Sequence, residues 1–252
     1  MREAKIVWVA GMARSGSMWT YNIVRELVAL DGNRVFPAQV PKLETEVAAA
    51  AGAALRDADP RHVWVLKTHH PVADSPRALF VAPRRDLRDA MVSVMRFMRL
   101  DPGIALRAAE VSARLTDHYR ETVPDARRLD LDYRETTAEP TPALLRIAAF
   151  LGIAVDADTA ALLVARYSKE AVRARLDRLQ LAATVQMVGN ADGSSRLFDP
   201  ATGFQGGHVS DYRDGDWQRV LPRPLLELVD ARLGGWLARY GYPPTFAAAP
   251  AE

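Results

Sequence analysis

The 252-residue chain contains no cysteine. Disulfides, thiolate metal sites and cysteine nucleophiles are therefore excluded. It also lacks any run of about 18 apolar residues, the length a membrane-spanning helix needs. No apolar leader precedes the first strand-like segment, so the sequence reads as a cytoplasmic protein without a membrane partner. Excess charge is missing too: 33 Lys and Arg stand against 31 Asp and Glu, a net charge of +2, which argues against nucleic acid as a partner. Lysine itself is scarce, with only Lys5, Lys42, Lys67 and Lys169, so a lysine at a motif position carries information. The Arg- and Ala-rich remainder is the composition of a GC-rich bacterial genome.

What is present is ordinary for a folded protein, with 49% hydrophobic and 25% charged residues. The length suits one α/β domain with a large core, expected over residues 1–242, followed by a flexible tail at 243–252. Four short apolar or β-branched segments predict buried strands: Ile6–Ala10, His62–Leu66, Ala78–Ala82 and Arg128–Leu131. Helical spacing separates them at Thr20–Leu30, Leu43–Leu55, Leu87–Leu100, Ala105–Thr122 and Pro142–Leu151, and recurs at Ala160–Val185 and Pro222–Tyr240. Strands alternating with helices predict a mainly parallel sheet flanked by helices, with ligands at the carboxyl ends of the strands. Gly189–Asp216 has little periodicity and is too long for a plain connector.

The first strand runs into Gly11-Met12-Ala13-Arg14-Ser15-Gly16-Ser17-Met18-Trp19 and then a helix. Small residues let backbone N–H groups approach an anion, and the positive end of the helix dipole aims at the same place. Taken alone, this is also what an ordinary strand-to-helix turn looks like. The loop lacks the Lys-Ser/Thr pair of an ATP- or GTP-binding P-loop, because Gly16 is followed by Ser17-Met18 and the only cation, Arg14, precedes it.

Lys67-Thr68-His69 closes the second strand. Lys67 and His69, two residues apart on extended chain, project to one side. Lys67 can neutralise charge developing in a transition state while His69 takes a proton from a nucleophile. His70 is the rival base. With no cysteine and no third clustered ligand, the two histidines do not make a metal site. After the third strand, Arg85 and Ser93 sit two helical turns apart and can share a phosphate, although the segment also reads as a solvated helix start.

These features in this order, together with Gly215-Asp216-Trp217, resemble the sulfotransferases that use 3′-phosphoadenosine 5′-phosphosulfate (PAPS). Ala13 to Trp19 resembles their 5′-phosphosulfate loop, Lys67-Thr68-His69 the strand end bearing the catalytic histidine, and Arg85, Asp89 and Ser93 their 3′-phosphate motif. Leu131-Asp132-Tyr133 and Leu144 to Gly152 are similar to a further strand and helix of the family.

The resemblance implies a P-loop-like fold and PAPS as co-substrate, with no metal. Arg14 and the backbone of Ser15, Gly16, Ser17 and Met18 would hold the 5′-phosphate. Lys67 would steady the sulfuryl oxygens and His69 would be the base. Arg85 and Ser93 would grip the 3′-phosphate, and Trp19, Tyr133 and Ser168 would meet the adenine. Ser210-Asp211-Tyr212 stands where the family has Arg-Lys-Gly, so either Arg213 or His208 is expected to supply the missing cation or backbone amides take its place, with Gly215 among the cofactor-binding residues.

The acceptor is expected to be a small alcohol, phenol or amine, such as a secondary metabolite or glycan. It would be framed by Val35–Glu46, Val72–Arg77 and Gly189–Gly207, with Phe36, Phe97, Met98 and Phe204 as an apolar wall. Two other classes fit parts of the sequence. A nucleotide-binding regulatory protein without catalysis would have no use for Lys67 and His69, and an ATP-dependent small-molecule kinase would need the missing Gly-Lys-Ser/Thr.

Overall fold

Five consecutive buried residues, Ile6–Ala10, form strand β1 at the centre of a sheet covered on both faces. The computed structural model describes residues 4–181, 186–189 and 193–246. Strands β2 (Arg34–Phe36), β3 (His62–Thr68), β4 (Ala78–Arg84) and β5 (Arg128–Asp132) complete the sheet in the order β2-β3-β1-β4-β5. Every pairing is parallel, with Val9 opposite both Lys67 and Val81. All five strands therefore end on one edge, as a doubly covered α/β sheet requires.

Side chains alternate along β1. Val7 and Val9 enter one core with helix α1 (Ser17–Leu30) and α6 (Pro140–Leu151), through residues such as Ile23, Leu27, Leu144 and Ile147. Ile6, Trp8 and Ala10 enter the opposite core, where α2 (Glu44–Arg56) and α4 (Pro102–Thr122) contribute Ala54, Leu115 and Tyr119. Helix α3 (Leu87–Met98) packs with α4, α9 (Trp217–Val220) and α10 (Arg223–Arg239) in a third core around Met91, Trp217 and Trp236.

The predicted strand beginning at His62 continues through the polar pair Lys67 and Thr68, and the three-residue edge strand β2 was not predicted. The helix expected over Ala160–Val185 is two, α7 (Ala157–Arg166) and α8 (Lys169–Gln180), and its last four residues, 182–185, lie outside the described residues. The chain turns out of helical backbone at Ser168, whose hydroxyl oxygen accepts from the Ala171 N–H at 3.1 Å and caps α8. The segment read as aperiodic holds a two-stranded ribbon, β6 (Met187–Gly189) with β7 (Ser195–Leu197), and leads into α9; helix α5 (Tyr133–Ala138) follows β5 directly. At the expected tail, Arg88 donates to the Pro243 carbonyl and the Thr245 hydroxyl, while 247–252 lie outside the described residues. Among the described residues no helix is long and apolar enough to cross a membrane.

Gly11 leaves β1 against β4, where a Cβ would stand 2.4 Å from the Pro83 carbonyl oxygen and 2.9 Å from its Cδ. No side chain fits there without moving a strand. By contrast, exposed Gly235 inside α10 has nothing within 4 Å of its Cβ position. Gly11→Ala should lower stability by about 1–3 kcal/mol through overpacking. Gly235→Ala should raise it by roughly 0.5–1 kcal/mol through helix propensity. Urea midpoints of the two variants, moving in opposite directions, check both.

Candidate active site

The carboxyl ends of β1, β3 and β4 open into a cleft of about 810 Å³. Its floor is the loop from Gly11 to Gly16, in which Arg14 adopts a left-handed φ of 63°. Gly16 caps α1 with no side-chain hydrogen bond, so the first turn presents its N–H groups to the cleft beside Ser17, Met18 and Trp19. Ser15 turns inward and donates to the Met12 carbonyl at 2.7 Å, which holds the loop closed from beneath.

Lys67 reaches the cleft from β3 and His69 from the residue after that strand. Their side-chain nitrogens Nζ and Nε2 are 3.0 Å apart, and His69 Nδ1 is 2.7 Å from the Gly11 carbonyl oxygen. A carbonyl only accepts, so Nδ1 carries the hydrogen and Nε2 keeps its lone pair, which takes the Lys67 proton donor. Burial, reinforced by the Lys67 charge, holds His69 down at about 3, and burial lowers Lys67 to about 8. His69 is thus a neutral base across the physiological range. His70 points away, with its side chain 68% exposed, its ring toward Glu44 and its carbonyl accepting from Tyr119.

Arg14 donates to the Ser93 hydroxyl at 2.9 Å and to the His208 carbonyl at 3.1 Å, and its guanidinium lies 4.2 Å from the Phe97 ring centre. Burial, then the neighbouring Arg85, lowers it to about 10, so it remains charged. Arg85, one residue past β4 and nearly buried, stacks 4.1 Å over Tyr133. Three cations gathered in one cleft raise one another's energy, and the Asp214 carboxylate, 2.7 Å from Arg85, offsets one of them. The positive balance, beside a helix start without a side-chain cap, fits a ligand with several negative charges.

The sequence from residue 5 to residue 180 matches the model of the family described as sulfotransferase domain. The chain belongs to this family. Solved structures agree in fold. Retinol dehydratase in complex with androsterone and the inactive cofactor PAP aligns at 16% identity and a TM-score of 0.61, covering 98% of this chain and 83% of that one. Mouse sulfotransferase SULT7A1 with PAP aligns at 17% identity and a TM-score of 0.63, covering 95% and 89%. The sulfotransferase domain from the curacin biosynthetic pathway aligns at 12% and 0.57, covering 97% and 100%. No curated protein sequence matches the chain significantly.

Around the cleft of this sulfotransferase stand Arg14, Gly16, Ser17, Met18, Trp19, Lys67, His69, Arg85, Ser93, Tyr133 and Ser168, drawn together from separate stretches of sequence. Arg213 and Gly215 are not in the lining. The Arg213 side chain is exposed and its N–H is tied to Asp216, while the Gly215 N–H donates to the Asp89 carboxylate at 2.9 Å. Gly215-Asp216-Trp217, the part that matches the family pattern, is therefore pinned from behind through Asp89, and Arg213 is not presented to the cleft. His208 does line it: its Nδ1 accepts from the Gln205 N–H at 3.0 Å, and burial keeps its ring neutral.

Of the expected acceptor wall, Phe97, Met98 and Phe204 face the cleft, whereas Phe36 stacks on Trp64 at 5.2 Å on the sheet edge. The Val72–Arg77 loop contributes no lining residue, and from the Val35–Glu46 segment only Val40, Pro41 and Lys42 reach the cleft. Lys42, Arg196 and Phe198 line the same wall; they fall within the Val35–Glu46 and Gly189–Gly207 segments expected to frame the acceptor but were not singled out there. The scarcity of lysine was a further signal that marked Lys42. Arg196 lies 3.8 Å from the Phe97 ring centre and donates to the Phe97 carbonyl at 2.6 Å, a placement no local motif announces.

Asp89, 3% exposed, also accepts from the Trp217 N–H at 3.4 Å, and burial raises it from 3.8 to about 6. Its folded form holds a proton more tightly than the unfolded chain does, so this carboxyl costs stability as pH rises from about 4 to about 6. Asp89→Asn keeps an accepting oxygen and should flatten that part of the stability-pH curve. Asp89→Ala strands two N–H groups and should cost roughly 1–3 kcal/mol. Urea titrations at pH 4, 5, 6 and 7 distinguish the two.

Proposed function

We propose that this sulfotransferase moves a sulfuryl group from PAPS to a hydroxyl or amine of a small-molecule acceptor, with His69 as general base. The observation that carries the reading is the 2.7 Å contact between His69 Nδ1 and the Gly11 carbonyl oxygen. The Gly11 carbonyl fixes the hydrogen on Nδ1, and the bare Nε2 stands beside Lys67, above an anion-binding loop.

In this reading the 5′-phosphosulfate lies on the Arg14 to Trp19 turn. Its sulfuryl oxygens draw the Lys67 ammonium away from Nε2, which leaves the base open to the acceptor. The acceptor oxygen or nitrogen then forms a bond to sulfur as the bond from sulfur to the 5′-phosphate oxygen breaks. His69 Nε2 receives the acceptor's proton, and Arg14 offsets the charge appearing on the leaving oxygen. Such a transfer depends on in-line positioning and charge neutralisation more than on covalent chemistry. Arg85 and Ser93 take the 3′-phosphate, and the adenine lies toward Trp19, Tyr133 and Ser168. The apolar wall of Val40, Phe97, Met98 and Phe204 suits an acceptor with a sizeable nonpolar body. Retinol and androsterone, bound in related folds, are molecules of that kind.

Thermal shift against 3′-phosphoadenosine 5′-phosphate (PAP) and against ATP with Mg²⁺ tests the donor. PAP should raise the melting temperature, because a ligand selective for the native state stabilises it. Stabilisation by ATP alone would sink the reading in favour of a kinase. With labelled PAPS and a panel of hydroxyl and amine acceptors, His69→Ala should lower kcat by roughly 10²–10⁴-fold while His70→Ala changes little. A wild-type protein that binds PAP and transfers nothing to any acceptor would point to a regulatory protein without catalysis.

The pH dependence follows from the two neighbouring values. His69 titrates near 3, so at saturating donor kcat should show no limb from His69 between about pH 5 and 7. Lys67 loses its proton as pH rises through about 8, so kcat/KM should fall on the alkaline side. Lys67→Arg, which keeps its charge, should move that alkaline limb upward. An unmoved limb assigns it to another group.

A further inference from the structure

Arg85 is a buried cation whose edges are already occupied. Its side chain is 6% exposed, and the Asp214 carboxylate, 30% exposed, stands against it. Both Nε and Nη2 donate to the same oxygen, Oδ1, at 3.1 and 2.7 Å. The remaining Nη1 reaches toward the Arg14 carbonyl at 3.5 Å, and one face of the guanidinium rests on Tyr133. Each of the three guanidinium nitrogens thus already has an acceptor.

We propose that Asp214 is a built-in competitor for the donor's 3′-phosphate: it neutralises Arg85 in the empty enzyme, yields that edge when the nucleotide binds, and reclaims it when the product leaves. The inference rests on the nucleotide reading given above. A buried guanidinium without a counter-charge is costly, and the carboxylate supplies one. A phosphate and a carboxylate cannot both lie against the same pair of N–H groups, because two anions within a few ångströms repel in a site of low dielectric. One must withdraw, and the partly exposed carboxylate is the one that can regain water.

The surrounding contacts limit how it withdraws. The next residue, Gly215, is fastened through its N–H to Asp89, and Trp217 is fastened to the same carboxylate. The preceding residue, Arg213, is tied by its N–H to Asp216. With the backbone held on both sides, the exchange is a rotation of the Asp214 side chain and not an opening of the loop. An acid thus stands close to where the family pattern carries Arg and Lys, and it lowers the affinity for the nucleotide at its 3′ end.

Asp214→Asn is the discriminating variant, since the amide oxygen can still accept from Arg85 but the charge is gone. Titration calorimetry would measure PAP and adenosine 5′-phosphate, which has no 3′-phosphate, on wild type and variant. The wild type should prefer PAP. In the variant, PAP binding should tighten about five- to tenfold, an effect of the size single charges have at binding sites, while adenosine 5′-phosphate should change less than about twofold. Unchanged or weaker PAP binding in the variant would overturn the proposal and make Asp214 a positioning residue for Arg85. Equal tightening of both nucleotides would also overturn it, as a general charge effect. A wild type that does not distinguish the two nucleotides would instead overturn the nucleotide reading. Circular dichroism melts verify folding, and Asp214→Ser serves if the Asn variant does not fold.

Discussion

Three strands meet at one residue without a side chain. Gly11 lies so close to β4 that the Pro83 carbonyl fills the space a Cβ would take, its N–H reaches the Thr68 carbonyl of β3 at 3.5 Å, and its own carbonyl accepts from His69. The position of the sheet edge, the start of the Gly11–Gly16 loop and the orientation of the His69 ring are thereby fixed together. Backbone groups suit this role because they are rigid. A side-chain partner for His69 could rotate, whereas the carbonyl of a residue clamped between strands cannot.

Around that fixed point the cleft gathers positive charge. Arg14, Lys67 and Arg85 converge from the first loop, β3 and the end of β4, and burial lowers both Arg14 and Lys67. Each cation has partners within the protein: the Ser93 hydroxyl and the His208 carbonyl for Arg14, Nε2 of His69 for Lys67, and the Tyr133 ring and the Asp214 carboxylate for Arg85. In the proposed reading each partner occupies a direction that the nucleotide's phosphates need, so binding exchanges one set of contacts for another and net affinity is the difference between them.

Much of this was legible in the sequence where burial and periodicity agree. Ile6–Ala10 is apolar throughout because both faces of the central strand are covered, and its bounds coincide with the structure. Lys67 and His69 could be placed on one side because strand side chains alternate, and they do share the cleft. Legibility failed where polar residues continue an element or a single residue interrupts one. Lys67 and Thr68 disguise the end of β3, three residues are too few to announce the edge strand β2, and Ser168 breaks an apolar pattern that runs on across it. Long-range pairings left no local trace at all: Phe36 looks like a pocket residue until Trp64 takes its ring, and nothing in the neighbourhood of Asp214 foretells Arg85, 129 positions away.

Phe97 touches both halves of the cleft at once. Arg14 lies 4.2 Å and Arg196 3.8 Å from its ring centre, and the His208 ring stacks on it at 4.7 Å. The ring works as a party wall, with the cation of the anion loop leaning on it together with an arginine of the distant ribbon. Remodelling the chamber next to that wall, by natural drift or by design, also shifts the support of Arg14. Breadth of ligand choice in this cleft is consequently easier to alter at Lys42, whose ammonium stands over the Phe198 ring, 5.1 Å from its centre, and not on Phe97.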